Sequence, residues 1–169
     1  MELKEVLLKR RSIRKFEDAP ISEEIIDELL HAGMSGPSAV NKKPWEFYVV
    51  TNKEKLNALK KASAFSKIEA PLAIIVCGNL LNSLPLKMAE YWIQDCSAST
   101  ENILLRATDL GLGSVWCGAH PQKGAKKKIR KILGIPLHHI PLNTIYIGYP
   151  KEEKEERDQF EKDKVHFFK

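Results

Sequence analysis

The sequence is short of the features that would mark a membrane, disulfide-stapled or nucleotide-fingerprint protein. It holds three cysteines, Cys77, Cys96 and Cys117, an odd number without C-x-x-C spacing. That excludes a disulfide framework and reads as reduced, mostly buried thiols of a cytoplasmic protein. No apolar run is long enough to span a bilayer, and "MELKEVLLKRR" at the start lacks the core of a signal peptide. No internal repeat or linker is found, so residues 1–169 read as one domain. The charge bias is small, 27 Lys and Arg against 22 Asp and Glu, giving +5. Such a bias suits anionic ligands but is too weak to imply nucleic acid. A P-loop is missing, and "GLGSVWCG" contains G-x-G without the third glycine and follows a helix, so the dinucleotide fingerprint fails. His138 and His139 are adjacent and cannot share a strand face, and nothing completes a metal site around them. No Ser/His/Asp or Cys/His arrangement suggests hydrolysis.

What is present reads as alternating helices and strands. Leu3, Val6, Leu7 and Arg10 have helical spacing. Ser22 caps a second helix, with Glu23 and Glu24 in its first turn, Ile25, Ile26, Leu29 and Leu30 inward, and Gly33 as its stop. "WEFYVV" (45–50) predicts a strand. Thr51 and Glu54 have capping-box spacing for a third helix. "PLAIIVCG" (71–78) is a continuous apolar run that suits a strand covered on both faces. Residues from about Met88 to Leu110 predict the longest helix, closed by Gly111 in a left-handed cap. "SVWCG" and "NTIYIGY" predict strands, and "AKKKIRKILG" a helix with Ile129, Ile132 and Leu133 inward. Without a regular βαβ beat the pattern gives an α+β fold, a central mixed or antiparallel sheet flanked by helices.

Three stretches carry chemistry. "RRSIRKF" (10–16) places four cations in seven residues. It is either a solvated basic turn or a phosphate site in which Arg10, Arg11 and Arg14 bind bidentately around the Ser12 hydroxyl. "GPSAVNKKPW" (36–45) is either an ordinary helix-to-strand loop or a surface for a planar ring. In the second reading Pro37 and Ser38 fix a turn, small Ala39 admits the ring and Asn41 meets a heterocycle edge. The lysines of 126–131 sit beside isoleucines at helical spacing without interleaved aromatics, so they read as the wet face of an amphipathic helix.

Taken in order, "RRSIRKF", "GPSAVNKKPWEFYVV", "GLGSVWCG" after a long helix and "IGYPKEE" resemble the nitroreductase family, over about residues 5–168. The resemblance implies an FMN-dependent homodimeric oxidoreductase using NAD(P)H. It makes Arg10, Arg11 and Ser12 phosphate ligands and Arg14 the partner of the flavin N1/O2 edge. It packs Pro37, Ser38, Ala39 and Asn41 on the isoalloxazine from the partner subunit and sets the backbone of Trp116, Cys117 and Gly118 beside N5. Arg157, or else Lys164, completes the phosphate site. Hydride then passes through flavin N5 to a small nitroaromatic or quinone-type acceptor by a ping-pong scheme. The segment between "WEFYVV" and "PLAIIV" is compact, without a clear equivalent of an asparagine and a lysine that larger members place near the flavin. Two alternatives stand beside this reading. One is a dehalogenating or flavin-consuming relative; the other is a basic nucleic-acid module using Arg10–Arg14 and Lys126–Lys131.

Overall fold

A computed structural model describes residues 1–85, 88 and 90–169. Helices α1 (Leu3–Lys9) and α2 (Glu23–Met34) precede strand β1 (Trp45–Val50), helix α3 (Lys53–Leu59) and strand β2 (Leu72–Asn79). Helix α4 (Tyr91–Asp109), strand β3 (Gly113–Gly118), helix α5 (Lys123–Leu133) and strand β4 (His139–Gly148) follow. The strands form one sheet in the order β1-β2-β4-β3, with every pairing antiparallel.

The apolar run at 71–78 is the middle of this sheet, and all eight residues of β2 are buried. Alternation divides it between two cores. Ala73, Ile75 and Cys77 face α3 and α5, packing with Leu56, Leu59 and Ile129. Leu72, Ile74 and Val76 face α2 and α4, packing with Ile26, Leu29, Trp92 and Ile103. Helices thus cover both faces of an antiparallel sheet. On α5, Ala125 and Ile129 are buried while Lys127, Lys128 and Lys131 stay in solvent, as the amphipathic spacing requires. Among the described residues, no helix is long and apolar enough to cross a membrane.

Several boundaries differ from the sequence reading. Gly33 does not stop α2; it lies inside the helix, where a Cβ would come within 2.9 Å of Ile103 on α4. The glycine serves close helix packing there. Asn52, not Thr51, caps α3, accepting from the Lys55 N–H at 3.0 Å. The start of the long helix near Met88 falls partly outside the described residues, and α4 itself begins at Tyr91. Its end is as anticipated, with Gly111 at φ +74. Strand β4 opens at His139, four residues before "NTIYIGY". His138 precedes the strand, and its ring meets that of His139 edge-on, centroids 4.5 Å apart.

Two histidines are held neutral by burial. His139 Nδ1 lies 2.6 Å from the Tyr48 hydroxyl. Burial lowers its pKa, Glu46 opposes the shift, and His138 adds to it. His120 stacks edge-on with Trp92, and its Nδ1 lies 3.1 Å from Lys126 Nζ. Burial again leads in lowering its pKa, with Lys126 assisting and Glu90 opposing.

Both histidines therefore bind protons more readily in the unfolded chain. Their contribution to stability is present above the ordinary histidine pKa of about 6.5 and is lost as pH falls through the lower folded values. Depressed carboxylates such as Glu152 add their loss only below their ordinary 4.5. Urea midpoints should thus fall between about pH 7.5 and pH 5.5, and His120→Gln with His139→Gln should flatten that slope. A second check is steric. A Cβ at Gly78 would strike the Trp92 ring, whereas one at Gly124 meets nothing within 4 Å. Gly78→Ala should cost about 1–3 kcal/mol, and Gly124→Ala should gain about 0.5–1 kcal/mol, in denaturant titrations.

Candidate functional site

Helix α1 ends at Arg10, where the backbone turns extended at φ −59 and ψ 116. The following segment is gripped on two sides. Toward the sheet, the Ile13 N–H donates to the Ser114 carbonyl at 3.0 Å, and Ser12 and Ser114 form a parallel bridge. On the other side runs the tail that leaves β4. Glu17 N–H donates to Tyr149 O, and Lys151 N–H to Lys15 O, each at 2.9 Å. Glu152 Oε1 accepts from the Arg14 N–H at 2.6 Å, and Lys154 Nζ donates to Ser12 O at 2.5 Å. The Arg11 guanidinium donates to Glu155 O, and Arg157 N–H donates to Leu8 O at 3.2 Å.

This antiparallel contact gathers Arg10, Arg11, Ser12, Arg14 and Arg157 around one stretch of chain. Arg10 Nε stands 3.5 Å from Glu101 Oε1 on α4, which holds its side chain against that helix. Lys164 lies farther along the tail, in a turn spanning Lys162–Lys164, and pairs with Glu161 at 2.6 Å.

Strand β3 is an edge strand, so every second residue turns its backbone groups away from the ladder. Ser114 turns outward, where Ile13 meets it, and Ala119 N–H donates inward to Leu142 O at 2.8 Å. By the same alternation Trp116 and Gly118 face the open edge, while Cys117 is engaged with Thr144 of β4. The Cys117 thiol points the other way, into the core, and donates to Phe65 O at 3.3 Å. Burial pushes its pKa up to about 11, against the pull of nearby Arg14. It is a protonated packing group at neutral pH, not a nucleophile.

The loop after α2 makes a separate group. A short 3-10 turn, Ala39–Asn41, starts with the Ala39 N–H donating to Asp95 Oδ1 on α4 at 2.9 Å. Ser38 Oγ accepts from the Lys43 N–H at 3.0 Å. Val40, Asn41 and Lys43 all take left-handed backbone, with φ of 52, 54 and 49. For a β-branched residue such as Val40 that costs about 1–2 kcal/mol, so the surroundings must impose it. Val40 is 80% exposed. Among the described residues, no hydrogen bond or ion pair joins this loop to the arginine segment.

Several participants went unseen in the sequence. Asp95 sat in plain view on a helix face otherwise made of Trp92, Cys96, Ser99 and Ile103, and a carboxylate on an inward stripe is itself a signal. Glu101, Glu152 and Phe65 had none, because each is brought in by tertiary contact. The compact segment after α3 reaches the site through Phe65. Two cavities lie elsewhere: one of about 1080 Å³ between α2 and α3, and one of about 580 Å³ beside α5. None of the twelve predicted residues lines either.

Comparison with known proteins places this arrangement. The family model described as the nitroreductase family matches residues 7–70 and 58–149. A Methanothermobacter thermautotrophicus protein described as an NADH dehydrogenase/NAD(P)H nitroreductase is 43% identical, over 100% of this chain and 88% of its own length. A crystal structure of a protein so described from Parabacteroides distasonis superposes with a TM-score of 0.92 at 36% identity, covering 99% of this chain and 98% of that one. An FMN-dependent nitroreductase of Clostridium difficile superposes at 0.87 with 35% identity, covering 96% of each chain. The ordered motifs, the sheet with helices on both faces and these likenesses agree: the chain belongs to the nitroreductase family.

Proposed function

We propose that residues 1–169 form one FMN-binding domain and that the protein is an NAD(P)H-dependent oxidoreductase acting as a two-fold homodimer. The observation that carries this is the convergence of Arg10, Arg11, Ser12, Arg14 and Arg157, from opposite ends of the chain, beside the open edge of β3. The donor set fits a phosphomonoester: guanidinium forks and a hydroxyl on one extended stretch, with the neighbouring Glu152 already engaged by the Arg14 N–H. When bound, FMN would supply the redox chemistry, hydride transfer through N5 between NAD(P)H and a small nitroaromatic or quinone-type acceptor.

The chain's own part is to bind, orient and bias. Arg10, Arg11, Ser12 and Arg157 hold the phosphate. Arg14 offers fixed positive charge to the N1/O2 edge, where reduction places negative charge. In the Trp116–Gly118 stretch, the backbone of Trp116 and Gly118 would orient the edge that carries N5. The expected contact from Cys117 is corrected, because its backbone is taken by the ladder to β4 and it serves to hold the other two in place. Pro37, Ser38, Ala39 and Asn41 cover the ring from the partner subunit.

The division of these residues into two unconnected groups supports a shared site. Asp95, which holds the loop, and Glu101, which holds Arg10, are six residues apart on α4. That is about 9 Å along the axis and about 240° around it. One chain thus presents its two halves on different sides of the helix, as a two-fold assembly needs. The tail agrees, since Phe160, Phe167 and Phe168 are 73%, 76% and 97% exposed on a segment with almost no regular structure.

The purified protein should be yellow, release FMN and not FAD on heating, and bleach on anaerobic addition of NADH or NADPH. Absence of flavin after reconstitution contradicts the reading. Arg10→Ala should weaken FMN binding by about 10- to 150-fold, or about 1.5–3 kcal/mol, with Arg157→Ala in the same direction. Mixing inactive Arg10→Ala with inactive Ser38→Trp should restore part of the activity, because some mixed dimers keep one intact site. No recovery despite demonstrated subunit exchange rules out the shared site.

A further inference from the structure

The loop Pro37–Asn41 is closed locally by the Asn41 N–H to Ser38 O at 3.0 Å and the Lys42 N–H to Ala39 O at 3.1 Å, and its first turn is tied to the body of the protein from outside. Ser38 stands where a side chain would cap the 3-10 turn, but its hydroxyl is taken by the Lys43 N–H. The first free donor of that turn, the Ala39 N–H, goes instead to Asp95 Oδ1 at 2.9 Å. Asp95 is only 6% exposed, so its carboxylate has left water largely for this contact. The three left-handed residues that follow would relax if the turn were released.

Asp95 is itself firmly held. One turn before it, Trp92 is 5% exposed and packs so closely on Gly78 of β2 that no Cβ fits there. The Trp92 ring also meets His120 edge-on, centroids 5.2 Å apart, two residues past the end of β3. The opening turns of α4 therefore fix the loop on one side and the continuation of the Trp116–Gly118 strand on the other.

We propose that Asp95 is a positioning residue of the cofactor site, its carboxylate serving as an external cap that locks Pro37–Asn41 in the conformation that receives the flavin ring. The role rests on the reading that this loop packs on flavin. Asp95 touches neither cofactor nor substrate; it acts through the Ala39 amide. A buried charge-assisted bond to one backbone donor makes the loop rigid before ligand arrives, so binding loses little entropy in ordering it.

The test uses the full chain reconstituted with FMN, with affinity read from flavin fluorescence, folding from circular dichroism and the Ala39 amide from hydrogen exchange. Asp95→Ala should bind FMN about 10-fold or more weakly and lose protection at Ala39 while remaining folded. Asp95→Asn keeps an acceptor oxygen and should recover most of the affinity, a rescue that a merely electrostatic role does not give, whereas Asp95→Leu fills the space without an acceptor and should stay as weak as Asp95→Ala, which a merely volume-filling role does not predict. Ala39→Pro deletes the donor while leaving Asp95 in place and should weaken FMN to a similar extent; with Asp95→Asn it carries the test if Asp95→Ala fails to fold. Parental affinity in Asp95→Ala and Ala39→Pro, with Ser38→Trp impaired, overturns the role of Asp95. Parental affinity in all three overturns the loop reading beneath it.

Discussion

The antiparallel contact between residues 8–17 and 149–157 is the constraint on which the rest of the site depends. It joins segments some 140 positions apart in the chain, and it brings Arg157 to the end of α1. Its geometry is set where β4 ends. Phe16 bridges Pro150, and a Cβ on Gly148 would come within 2.8 Å of Pro71 and 3.0 Å of Phe16. Only a residue without a side chain lets the three segments cross so closely, and the crossing aims the tail along the arginines. Phe16 and Ile13 anchor the same stretch in the core beneath β3. The arginines therefore lie on a strip whose backbone is fixed from below by apolar packing and from the side by the tail.

A strip of this kind is useful only if something covers it. The arginines line neither described cavity, although Phe16, Glu17 and Lys151 of the same contact border the larger one, and the second predicted group, Pro37–Asn41, is turned to another side of α4. In the proposed two-fold assembly each chain would supply the half that the other lacks. Helix α4 is then more than the longest element. Glu101 holds the arginine end, and Asp95 holds the loop. Trp92 ties the helix to β2 and to His120. The same helix also packs the sheet through Cys96, Ile103 and Ala107. Core and site are thus stabilised by one helix, whose inward stripe carries Asp95 beside Trp92 and Cys96.

Most of the fold was legible because its signals are local. β1 is the predicted "WEFYVV" residue for residue, and the apolar run of β2 marked a strand buried on both faces. Gly111 took the left-handed conformation expected at the end of the long helix. The misreadings came from residues with two uses. Gly33 looked like a stop, but the approach of Ile103 decided its role. Thr51 and Asn52 are both competent caps, and the choice between them lies in how the chain leaves β1. At the site, the arginine cluster was legible as a motif, and its juxtaposition with Arg157 was anticipated by resemblance. Glu152, Glu101 and Phe65 were not legible, since nothing local distinguishes a residue whose importance is a contact 50 to 140 positions away. Asp95 falls between these cases, visible as a misplaced carboxylate but without a partner until Ala39 was seen beside it.

The central claim is that FMN lies along the strip, its phosphate among the arginines and its ring against the edge of β3. A crystal structure of the protein reconstituted with FMN tests it most directly. The account predicts two flavins per dimer. Each phosphate should lie within hydrogen-bond reach of Arg10, Arg11 and Ser12, with its ring edge at Trp116–Gly118 and the partner's Pro37–Asn41 loop upon it. A flavin lodged in the groove between α2 and α3, or a monomer binding it without a second chain, would contradict the account.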